Sequence, residues 1–208
     1  MLLQGDRVVK AVFVIVVILL LVGAGMFRAD IPLDELKSVY ARGPSRFIDI
    51  GELEIHYRDQ GPQNTAPLVL LHGAFSSLHT WEAWVEQLSR DRRVITLDLP
   101  GFGLTGPDPS GDYSVDRTVD LLHLFLREIG VLCELGVGEN SVHIGGNSLG
   151  GQVAWNYALA FPEHTASLVL VDSSGYREFS TPPPVIFRYA QWVANINTLC
   201  GYTKYFRM

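Results

Sequence analysis

The run His143-Ile144-Gly145-Gly146-Asn147-Ser148-Leu149-Gly150-Gly151 passes from strand to helix within a single residue. Val142-His143-Ile144 reads as a short strand, and Leu149 to about Phe161 reads as a helix that Pro162 closes. Between them lies Gly-x-Ser-x-Gly, which requires a sharp turn that leaves the serine strained with its Oγ exposed. Side chains at 146 and 150 would collide with the neighbouring backbone, so glycine is needed there. Gly151 lets the helix lie close to the sheet. Ser148 is therefore the candidate nucleophile, and the Leu149 amide at the helix N-terminus is suited to an oxyanion.

Working outward, the chain alternates strands and helices. Phe47–Ile50 and Leu53–Tyr57 form a predicted β-hairpin around Gly51-Glu52. Leu68–Leu71, Val94–Leu97 and Leu168–Val171 are continuous apolar runs, as expected for strands covered on both faces. Trp81, Trp84, Val85 and Leu88 recur at helical spacing. Ser114 reads as an N-cap for a helix whose apolar face is Val115, Val119, Leu122, Leu126 and Ile129, ended by Gly130. A hairpin followed by repeated β-α units implies an α/β fold with a mostly parallel sheet. In such a sheet the strand C-termini share one edge, so the loops His72-Gly73-Ala74 and Asp98–Gly103 gather beside Ser148. The Ala74 amide is the second candidate oxyanion donor.

HGAFSS from His72, DLPGFG from Asp98, GGNSLGG from Gly145 and FPEHTASLVLVD from Phe161 stand in this order over residues 46–175. Together they resemble the α/β-hydrolase family, in particular its esterase-like and meta-cleavage-hydrolase-like branch. The resemblance implies a serine hydrolase acting on an ester or similar carbonyl substrate. It implies Ser148 as nucleophile, an oxyanion hole from Ala74 and Leu149, and no cofactor. A serine rather than an aspartate at 148 argues against the branches that attack with a carboxylate. Asp172, after the last apolar strand, is the possible acid, with a structural role as the alternative; Asp98, on the same edge, most resembles a loop-fixing residue.

A serine hydroxyl needs a base, usually a histidine held by a carboxylate. In this family it follows the acid, and beyond Ser148 the chain has only His164. That residue lies past the helix, roughly 20 Å from the serine. His143 is about 16 Å away along its strand and reads as a hydrogen-bonded core histidine. His72 is expected to shape the oxyanion turn, and His79 lacks an obvious acid to orient it. The triad thus reads as incomplete. The alternative function is a non-catalytic, truncated hydrolase-fold binding or remnant protein anchored in a membrane.

The remaining organisation follows from composition. The 208 residues suffice for one sizeable domain, and the net charge of −6 gives no reason to expect nucleic acid. Cys133 and Cys200 form no metal-type spacing and read as unpaired small hydrophobes, with one disulfide as the alternative. Residues 8–28 contain an uncharged apolar run from Ala11 to Phe27, about 25 Å as a helix. It reads as a transmembrane signal anchor; a cleaved signal peptide or a buried core helix are the alternatives. Arg7 and Lys10 before it favour a single-pass arrangement with the domain on the non-cytoplasmic side, or secretion after cleavage. Residues 29–45 are an expected linker, 46–175 the N-terminal portion of a hydrolase core, and 176–208 the start of a cap. The C-terminal part is expected to be incomplete, leaving an apolar flank beside the last strand.

Overall fold

The computed structural model describes residues 2–26, 31–132 and 140–175, with the side chains of 1–8, 11 and 26 outside the description. Two compact units divide it, residues 1–35 and 36–208. The first contains helix α1, Leu2–Met26, on which Phe13, Leu19, Leu20 and Leu21 are all exposed. Among the described residues no helix is long and apolar enough to cross a membrane, so the transmembrane helix expected over 8–28 is not part of the established fold. Helix α2, Leu33–Tyr40, lies within the expected linker. The segment 176–208, read as the start of a cap, lies outside the described residues.

Among the described residues the second unit contains one six-stranded sheet: β1 Ser45–Ile50, β2 Leu53–Gln60, β3 Leu68–Leu71, β4 Val94–Leu97, β5 Val142–Asn147 and β6 Thr165–Val171. Their order across the sheet is β1-β2-β4-β3-β5-β6. The hairpin β1–β2 and the β2–β4 pair are antiparallel, and β4–β3, β3–β5 and β5–β6 are parallel. Every residue of β3 and β4 is buried, as strands covered on both faces should be.

Helices cover both faces. The larger core packs Val69, Leu71, Ile95 and Ile144 against Leu122, Phe125 and Leu126 of α4, Val115–Glu128, and against Val153 and Tyr157 of α5, Leu149–Ala160. The smaller core packs Leu68, Leu70 and Val94 against Trp81 and Val85 of α3, Glu82–Leu88, and the 3₁₀ turn Leu78–Trp81 before it. Ser114 Oγ accepts the Arg117 amide at 3.2 Å to cap α4, and Gly130 closes it at φ +72°.

The strand β6 begins three residues before its apolar run because Thr165 and Ser167 pair with Val142 and His143. It is the edge strand, and Val169 and Leu170 are 39% and 36% exposed. The opposite edge is the polar hairpin strand β1.

Candidate active site

Ser148 is the single residue between β5 and α5, with φ +50° and ψ −113°. A non-glycine residue reaches this region only when its surroundings over-determine it, at a cost of about 1–3 kcal/mol. Those surroundings are backbone. Ser148 N donates to Val171 O at 3.1 Å, and Ser148 O accepts the amides of Gln152 and Ser174, both at 3.0 Å. A Cβ on Gly146 would strike the Gly150 carbonyl, and one on Gly150 would strike the carbonyls of Leu71 and His72. One on Gly151 would lie 2.7 Å from the Ser173 side chain. The helix, the end of β3 and the turn after β6 therefore meet around the serine with no room for side chains.

The serine hydroxyl does not cap α5, so it is not used up by its own helix. Leu149 is the first residue of that helix. The Gly73-Ala74 turn stands directly against it: a Cβ at Gly73 would be 3.3 Å from Ser148 Cβ and 2.8 Å from Asn147 Oδ1. Gly73, the residue before Ala74, and Leu149, the residue after Ser148, thus adjoin the serine. Phe75 follows at φ +58° with its ring 86% exposed, edge-on to Phe102 at 6.5 Å. Sequence patterns did not single out this aromatic pair; a positive φ at phenylalanine carries no signature in composition or spacing.

Asp172 is exposed at φ +46°, one residue beyond β6. The bonds Ser148 N to Val171 O and Ser174 N to Ser148 O bracket it, so it reaches the serine's edge of the sheet.

The six histidines are held elsewhere. His72 is buried: its Nδ1 donates to Gly73 O at 2.7 Å and its Nε2 accepts the Leu99 amide at 3.0 Å. Burial pushes its pKa down, against the opposing pull of the Gly73 carbonyl and Asp98, so it is a neutral brace between the oxyanion turn and the turn after β4. His143 Nδ1 bonds Ser167 Oγ at 2.7 Å across β5–β6; it is half-buried rather than a core residue, because β6 is the sheet edge. His164 bonds Asn140 O at 2.8 Å, and His123 stacks on Phe161 with centroids 3.9 Å apart.

His79 departs from expectation, since an acid does orient it: its Nδ1 donates to Glu82 Oε1 at 2.6 Å. The His79 hydrogen bond, against slight burial and assisted by Arg58, holds the Glu82 carboxyl below its ordinary range. His79 helps line a cavity of about 380 Å3 with Leu36, Tyr40, Asp98 and Leu104, on the loops after β3 and β4.

Asp98 is deeply buried. It accepts His56 Nδ1 at 2.7 Å, the Leu78 amide at 2.7 Å and the Leu104 amide at 2.8 Å. Burial raises its pKa, but these hydrogen bonds outweigh it, and the carboxyl sits below its usual range. Gly103, at φ +53°, leaves the space the carboxylate occupies. Asp98 therefore organises the loops after β3 and β4, the loop-fixing role expected of it.

With this geometry in place the family can be assigned. Residues 66–196 match the family model described as alpha/beta hydrolase fold. The chain belongs to the α/β-hydrolase family. It is 32% identical over 166 residues to a 2-hydroxy-6-oxo-2,4-heptadienoate hydrolase of Pseudomonas putida, covering 78% of this chain and 56% of that one. It is 30% identical over 131 residues to a monoacylglycerol lipase of Xenopus laevis, covering 62% and 37%. Among solved structures, a membrane phospholipase A described as a bacterial virulence factor superposes with a TM-score of 0.61 at 30% identity, covering 83% and 55%. The chain spans between about a third and just over half of the length of these hydrolase relatives.

Proposed function

We propose that the protein is a serine hydrolase in which Ser148 attacks the carbonyl carbon of an ester or similar substrate. The strained φ +50° of Ser148 at the β5–α5 junction carries this reading. A backbone so constrained would present Oγ away from the helix, with the Leu149 amide available beside it. The amides of Ala74 and Leu149 would receive the developing oxyanion, and Asp172 is the acid on the same edge. The exposed ring of Phe75, with half-buried Phe102 edge-on to it, suits a substrate with an apolar acyl part. The relatives named as a monoacylglycerol lipase and a 2-hydroxy-6-oxo-2,4-heptadienoate hydrolase both fit that chemistry.

The alternative, a non-catalytic hydrolase-fold protein, draws on a specific observation. Among the described residues all six histidines have other partners, and none is brought to Ser148. A fluorophosphonate probe separates the two. Labelling mapped to Ser148 and lost in Ser148→Ala supports the hydrolase. Ser148 left unlabelled in the wild-type chain would remove it.

We also infer that residues 8–28 attach the domain to a membrane, with the catalytic part on the non-cytoplasmic side. The apolar side chains exposed along α1 support this. Recovery of the intact chain in the supernatant after carbonate extraction would sink it.

A further inference from the structure

Away from Ser148, a second serine has what the first lacks. Ser45 opens β1 opposite Arg58, and Phe47 stands opposite His56. Residues paired or alternating in this way share one face of the hairpin, so Ser45, Phe47, His56 and Arg58 are neighbours on it. His56 Nδ1 donates to Asp98 Oδ2 at 2.7 Å, which leaves Nε2 as an acceptor. Ser45 Oγ lies 2.9 Å from that Nε2. Arg58 Nε donates to the same Oγ at 3.2 Å, filling a lone pair and directing the hydroxyl proton to the imidazole.

The relay is held from every side. His56 is fully buried and Asp98 is 1% exposed, while Ser45 is only half-buried. The Phe47 ring stacks on the imidazole at 4.9 Å, the His56 amide bonds Thr105 Oγ1 at 3.0 Å, and Thr105 Oγ1 in turn donates to Asp98 O at 2.8 Å. Pro44, the residue before the serine, and Arg58, its hydrogen-bond partner, border a cavity of about 230 Å3 together with Leu78 and Glu82. Glu82 accepts Arg58 Nη1 at 3.2 Å, so the guanidinium is fixed at the cavity wall.

We propose that Ser45 is a second reactive serine, activated by His56 and Asp98, which accepts the acyl group of a small activated ester. Its Oγ attacks the carbonyl carbon while its proton passes to His56 Nε2. The bond from carbon to the leaving oxygen then breaks, and the alcohol departs with that proton, leaving Ser45 acylated on Oγ. Asp98 stabilises the imidazolium in between, and the Arg58 charge faces the developing alkoxide. The cavity is smaller than the roughly 300–1,000 Å3 of drug-sized sites, which selects short acyl groups.

The test uses the full chain carrying Ser148→Ala, treated with p-nitrophenyl acetate and separately with a fluorophosphonate. Fragments from a glutamate-specific protease are then mapped by mass spectrometry. The expected result is an adduct on Ser45, formed about a hundredfold more slowly in His56→Gln. An unmodified Ser45, or a rate unchanged in folded His56→Gln, overturns the proposal. Because His56→Gln could fail to fold, Ser45→Cys gives an independent reading. An imidazole-paired thiol is alkylated by iodoacetamide well below the ordinary thiol pKa of about 8.5. If alkylation of the thiol in Ser45→Cys follows that ordinary pKa instead, the proposal is also overturned.

Discussion

Ser148 and Ser45 divide between them the parts that usually activate one nucleophile. Ser148 has the strained backbone, the helix N-terminus and the adjoining Gly73-Ala74 turn, but no imidazole among the described residues. Ser45 has the imidazole and the buried carboxylate, but it sits in an ordinary strand without a turn aimed at its hydroxyl. The contrast separates two requirements. Backbone donors for an oxyanion come from a contiguous turn, whereas a base relay comes from strand register and a distant loop.

The largest effect expected concerns the first half of that division. If Ser148 carries ester turnover, Ser148→Ala lowers kcat/KM by about a thousandfold or more. A loss below tenfold, measured with a chromogenic ester, would place the turnover at a residue other than Ser148.

The second half rests on Asp98. Asp98→Asn sets an amide NH2 against at least one of the three donors and should cost about 1–3 kcal/mol in urea unfolding. The Leu78 and Leu104 turns loosen with it, since both amides bond the same carboxylate. A cost under about 1 kcal/mol would mean that the relay is not the buried brace described above.

Gly150→Ala attacks the crowding that holds Ser148. The new methyl group meets the carbonyls of Leu71 and His72, and overpacking of this kind costs about 1–3 kcal/mol. Circular dichroism melts should show the loss, and fluorophosphonate labelling of Ser148 should fall in parallel. Unchanged labelling would disconnect the strain from reactivity.

The smallest effect is a pH dependence. Burial depresses the His72 pKa, so as pH falls the unfolded chain takes up that proton before the folded one does. The contribution is whole above the unfolded value of about 6.5 and is lost progressively below it. Urea midpoints recorded between about pH 7.5 and 5 should therefore decline, and decline less steeply in His72→Gln. Equal slopes would assign the loss to other groups, such as His123, whose pKa burial also lowers.

The same contrast explains what could be read from sequence. The Ser148 turn is written in nine consecutive residues, and strands β3 and β4 coincide with the apolar runs 68–71 and 94–97. The Ser45 relay joins residues separated by 11 and 42 positions, and nothing short of the β1–β2 register brings them together. The His79–Glu82 pair was within reach, since the two are three residues apart across the 3₁₀–α3 junction. Spacing alone did not show that the chain would turn there. The start of β6 was hidden because Thr165–Ser167 are strand by pairing, not by hydropathy.

The left-handed backbone at Ser148 also bears on how such a chain would drift under mutation. Glycine occupies that conformation without the serine's strain, and relief of about 1–3 kcal/mol exceeds the roughly 0.4–1 kcal/mol that glycine gives up through the unfolded chain. Ser148→Gly should therefore raise the melting temperature while deleting the hydroxyl. Selection for thermal robustness alone would lead away from serine at 148.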